Sequence, residues 1–86
     1  MIAYERTTLA NGLTVAVNRD RASKLAAVNI LYKVGARNEN PARTGFAHLF
    51  EHLMFRGTRE VPNFDLPVQM ASGDNNAFTN NDYTDF

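Results

Sequence analysis

The hydrophobic and polar positions of this chain fall into short runs with clear punctuation. Residues 4–9 and 13–17 are two such runs, parted by Ala10-Asn11-Gly12. Asn-Gly tolerates the positive φ that a tight reversal requires, so this stretch predicts a β-hairpin with Leu13, Val15 and Val17 on one face. Asn18 to Arg21 is a polar break. Over residues 25–34, Val28, Ile30, Tyr32 and Val34 recur at period two, which predicts a strand that Gly35 ends. Arg37 to Arg43 is a polar loop containing Asn40-Pro41.

The period then changes. Gly45 to Arg56 reads as a helix, with Thr44 placed as its N-cap and Gly57 as the residue beyond its end. A shorter helix is expected over residues 64–71, with Pro67 in its first turn. After Gly73 the pattern returns to strands over 76–79 and 83–86, broken at Asn80-Asn81. This order gives an α+β class: a mixed, mostly antiparallel sheet with helices packed on one face. No repeat or low-complexity segment interrupts it. Ending on strand-like Phe86, the chain reads as a domain cut short.

Composition narrows the function classes. A chain of 86 residues makes at most one small domain. Nine basic and nine acidic residues cancel, and they are scattered, so neither nucleic acid nor an anionic membrane is an expected partner. The absence of cysteine removes disulfide scaffolds, thiolate metal sites and cysteine nucleophiles together. The first eight residues lack a basic stretch followed by an apolar run, so no signal peptide is read there. The compartment stays open: cytoplasmic if Met1 is the native start, periplasmic or organellar if a targeting segment was removed.

One pentapeptide carries candidate chemistry, His48-Leu49-Phe50-Glu51-His52. At about 100° per residue the two histidines lie about 40° apart on successive turns, with Glu51 about 60° to the other side of His48. Phe46, Leu49, Phe50, Leu53 and Met54 cover the opposite side, and Leu49 and Leu53 are expected in the core. Two imidazoles at i and i+4 can converge on one zinc ion at about 2.0–2.1 Å. A glutamate beside them can act as general base toward a zinc-coordinated water, whose pKa the metal lowers to about 7. His-x-x-Glu-His is the inverzincin signature. A His pair on an ordinary helix is usually solvated surface, but here the polar stripe is narrow and the rest of the helix apolar, which favours a metal. Cobalt or manganese would also suit two histidines and a carboxylate. Locally, Gly57-Thr58 is most simply a helix C-cap, Asn76-Ala77 an ordinary edge strand, and Phe46, Phe50, Phe55 and Phe64 core.

Longer stretches match a known family. Leu9-Ala10-Asn11-Gly12-Leu13, Val34-Gly35-Ala36-Arg37 with Glu39, the run Thr44 to Thr58 and the run Asn76 to Thr84 resemble the pitrilysin, insulinase and mitochondrial processing peptidase family of zinc endopeptidases. The resemblance covers essentially the whole chain. It implies a metalloendopeptidase acting on peptides or unfolded segments, with His48 and His52 as zinc ligands and Glu51 as base. It also implies that Asn76 and Ala77 bind a peptide substrate as an added strand. A third ligand, a glutamate on a later helix, is expected beyond Phe86, since none of Glu60, Asp65, Asp74, Asp82 or Asp85 stands at that position. Residues 1–86 are then the N-terminal part of a catalytic domain, inactive alone, whose partner is a second homologous half or subunit. Where the family usually has Gly-Gly, this chain has Ser72-Gly73, a mild change in a turn. The alternative is a non-catalytic structural or binding subunit of the same family; such subunits typically lack the His-Glu-His set found here.

Overall fold

The computed structural model describes residues 3–86; Met1, on which the compartment reading turns, lies outside them. Strands β1 (Glu5–Thr8) and β2 (Thr14–Val17) form the expected hairpin, antiparallel with Glu5 opposite Val17. Gly12, at φ 90°, and the Asn11 side chain, which accepts from the Leu13 amide at 3.0 Å, make the reversal. The hairpin is a two-stranded sheet of its own.

The second sheet is built from residues far apart in sequence. β3 (Leu31–Tyr32), β4 (Phe78–Thr79) and β5 (Thr84–Asp85) are antiparallel in the order β3-β5-β4. The strand predicted over 25–34 thus narrows to two residues, extended by the mutual backbone bonds of Ile30 and Phe86 at 2.9 Å. Its amino-terminal half finds no partner among the described residues: Leu25 and Val28 are more than four-fifths exposed. Tyr32, Thr84 and Thr79 are in register across the sheet and lie on the side that carries the helix, whereas Leu31, Asp85 and Phe78 point to the other side. β5 is paired on both flanks, so the open edges of this sheet among the described residues are those of β3 and β4.

Helix α1 (Phe46–Met54) lies against this sheet. Its N-cap is Gly45 rather than Thr44, and it ends at Met54, two residues short of the expected Arg56. Gly45 adopts φ 88°, and the carboxylate of Glu39 reaches back to accept from the Gly45 amide at 2.5 Å and the Ala47 amide at 2.9 Å. An acid six residues upstream therefore does the work of the local cap, satisfying orphan amides and facing the positive end of the helix dipole. At the other end Gly57 takes φ 93°, and a side chain there would strike the carbonyls of Val61 and Pro62. Helix α2 (Asp65–Met70) holds Pro67 as its third residue, within the first turn as expected. Ser72, in the variant Ser-Gly pair, adopts φ 57°, a left-handed conformation that glycine reaches at lower cost.

Among the described residues no hydrophobic side chain is buried. Leu49 and Leu53, expected in the core, are about half exposed, as is Phe46, and Phe50 is about two-thirds exposed. The apolar side of α1 borders an open cleft of about 510 Å³, lined by Tyr32, Val34, Phe46, Phe50, Met54 and Phe86 among others. Of the aromatics, Phe55 is half-buried and meets Phe64 edge-on and the tilted Phe86 ring, both at 6.1 Å. No helix among the described residues is long and apolar enough to cross a membrane.

Candidate metal and catalytic site

The polar stripe of α1 forms as its spacing predicts. One helical turn brings His48 and His52 together with their Nε2 atoms 3.0 Å apart and their rings tilted by 43°. Two ring nitrogens this close repel unless a proton or a cation lies between them. Two arms of about 2.0–2.1 Å meeting near the tetrahedral angle would hold their nitrogens about 3.3 Å apart. The observed spacing lies close to that, so the pair fits a single zinc ion. Both histidines are exposed, so the stripe is reached from open space.

Glu51 has a different setting. It is the one buried residue of α1, 9% exposed. Its Oε2 accepts a hydrogen bond from the Thr79 hydroxyl of β4 at 2.5 Å. A buried carboxylate is costly unless a donor satisfies it, and this short bond from the sheet does so. The hydroxyl of Thr84 donates in turn to the Val34 carbonyl at 2.9 Å and lies 3.4 Å from the Thr79 hydroxyl. Glu51 also borders the apolar cleft, while the histidines do not. The helix thus presents its histidine pair to one side and its carboxylate toward the sheet.

A group of three or more His, Cys, Asp or Glu side chains able to hold a metal is absent among the described residues. Asn76 and Ala77 lie just before β4 rather than inside it, because the ladder begins at Phe78. The Asn76 side chain folds onto the Ala77 amide at 2.9 Å. β4 pairs only with β5 among the described residues, so the expected edge is present two residues later than predicted.

Glu39 and Thr79 stood in the matching stretches without a role. Glu39 sits outside the window where capping rules look, and its role emerges only once the loop folds back. Thr79 shares its two-residue alternation with Ala77, which marks a common face but not what that face meets.

Comparison with known proteins gives the chain's family. The model of the family described as Insulinase (Peptidase family M16) matches residues 14–86. The chain is 40% identical over 84 residues to the zinc protease PqqE of Helicobacter pylori, covering 94% of this chain and 19% of that protein. It is 35% identical over 82 residues to the probable mitochondrial-processing peptidase subunit beta of Arabidopsis thaliana, covering 93% of this chain and 15% of that one. A crystal structure of a protease from Helicobacter pylori superposes with a TM-score of 0.82 at 37% identity, over 99% of this chain and 21% of that one. The chain therefore spans about a fifth of the length of such relatives. It belongs to the insulinase family of peptidases, M16.

Proposed function

We propose that this chain supplies part of the active site of a zinc-dependent metalloendopeptidase, with His48 and His52 as two zinc ligands and Glu51 as the general base. The observation that carries the reading is the convergence of the two Nε2 atoms at 3.0 Å, one residue from a buried, hydrogen-bonded carboxylate. Zinc, when bound, supplies a Lewis acid that polarises a carbonyl and acidifies water. The chain's own residues do the rest. Glu51 takes the proton of the attacking water on a carboxylate oxygen and delivers it to the departing amide nitrogen. Asn76, Ala77 and the open edge of β4 hold the peptide in extended form through its backbone, which suits a substrate without fixed side-chain requirements.

The third ligand and a second homologous half or subunit belong to the same proposal. Support for the partner comes from relatives named as beta subunits of a mitochondrial-processing peptidase. The test is hydrolysis of an unfolded peptide by the full-length protein that carries this segment. Activity should vanish on chelation and return with zinc. Activity that survives exhaustive chelation would overturn the reading, and a zinc-loaded protein without hydrolysis would turn it toward a binding subunit.

A further inference from the structure

Glu51 reaches the sheet through one hydroxyl, and the proton count around that hydroxyl is closed. Thr79 and Thr84 face each other across β4 and β5 with their oxygens 3.4 Å apart. Each hydroxyl has a single proton to give. That of Thr84 goes to the Val34 carbonyl at 2.9 Å, in a residue only 7% exposed. That of Thr79 goes to Oε2 of Glu51 at 2.5 Å, where the negative charge makes the stronger acceptor. The Thr84 oxygen, 3.4 Å from that of Thr79, is the more distant and uncharged alternative acceptor for the Thr79 proton. Oε1 of Glu51 accepts no hydrogen bond among the described residues.

A glutamate carboxylate turns freely about its last torsion, which has no sharp staggered minima. Fixing one oxygen fixes that torsion and leaves the other oxygen with a defined direction. We infer that Thr79 is a positioning residue: its hydroxyl locks the Glu51 carboxylate through Oε2 so that Oε1 is presented for proton transfer. The residue sits on β4, three positions after Asn76, so the strand whose free edge is offered to a peptide also carries the group that aims the carboxylate. This inference rests on Glu51 being the base.

The test uses the full-length protein with four forms: unaltered, Glu51→Gln, Thr79→Val and Thr79→Ser. Valine keeps the shape and removes the donor, and serine restores it. Thr79→Val should lower kcat by about 10- to 100-fold, with KM changed less than about twofold and zinc content unchanged. Thr79→Ser should recover kcat to within about threefold of the unaltered protein. In crystals of metal-free Thr79→Val the Glu51 carboxylate should leave its place or occupy several rotamers, a readout independent of turnover. Unchanged kcat in Thr79→Val, or equal losses in the valine and serine forms, would overturn the positioning role. An unmoved carboxylate in the valine form would do the same. Should Thr79→Val fail to fold, the serine form decides: full zinc and near-normal kcat support the role, and a loss like that of Glu51→Gln overturns it. Normal turnover in Glu51→Gln would instead defeat the assignment of the base.

Discussion

The hairpin and the helix–sheet unit differ in how far along the chain their bonds reach. Within residues 3–18 the hairpin closes on itself: Leu9 with Leu13, Gly12 with Leu9, and the Asn18 side chain with the Ala3 carbonyl at 2.5 Å. In the helix–sheet unit the deciding bonds join Glu51 to Thr79, 28 residues apart, and Thr84 to Val34, 50 apart. The hairpin is exposed nearly throughout, with only Val15 half-buried. The unit, by contrast, buries two polar side chains, Glu51 and Thr84, and no hydrophobic one among the described residues. A reversal can be made by two residues of turn chemistry. A buried carboxylate has to be met by a donor from elsewhere, and that donor has to be held in turn.

The contrast can be broken at either end, and the largest effect belongs to the site. Glu51→Gln in the full-length protein should cut turnover by about 10²–10⁴-fold while zinc content stays at one per site, because the amide cannot take a proton. Parallel zinc analysis and peptide hydrolysis check this; near-normal turnover would remove Glu51 as base. Next comes metal affinity. Calorimetric zinc titration should show the 86-residue chain binding far more weakly than the full-length protein, since two imidazoles hold zinc less firmly than a completed ligand set. Equal affinities would mean that a third ligand lies within these residues.

A smaller effect is expected at the helix start. Glu39→Ala should destabilise the fold by about 1–2 kcal/mol, because it strips a two-pronged acceptor from the amides of Gly45 and Ala47. Urea unfolding measures it, and a change below a few tenths would show that Thr44 can replace the cap. The smallest effect belongs to the hairpin. Gly12→Ala forces a side chain into φ 90° and should cost about 1 kcal/mol in thermal stability with kcat untouched. A fall in kcat would mean that hairpin and site are coupled.

Local chemistry decided which features were legible in the sequence. Asn11-Gly12 announced the hairpin, the His48–His52 spacing announced the convergent nitrogens, and Pro67 fell within the first turn of its helix. Long-range packing decided the rest. Glu39 displaced Thr44 as cap because the loop doubles back, which no pattern of neighbours reveals. The apolar period of α1 marked Leu49 and Leu53 for burial, yet both remain half exposed. Periodicity identifies a face that favours a partner, and only the fold supplies one.

Gly35 carries a consequence for tolerance to sequence change. The amides of Ala36 and Arg37 bond to the carbonyls of Asn80 and Asn81 at 3.0 and 2.8 Å, and a Cβ at Gly35 would collide with that same backbone. The segment bearing Thr79 is therefore berthed against the start of the polar loop by main chain on both sides. In a saturation map of this region, position 35 should reject every replacement, while Ala36 and Asn81 accept many, because what they contribute to the contact is common to all amino acids except proline at the donor; Asn80 should be stricter, since its side chain also accepts from the Asp82 and Tyr83 amides at 2.9 Å. The alphabet is nearly silent at this junction, and one missing methyl group holds the strand in its berth.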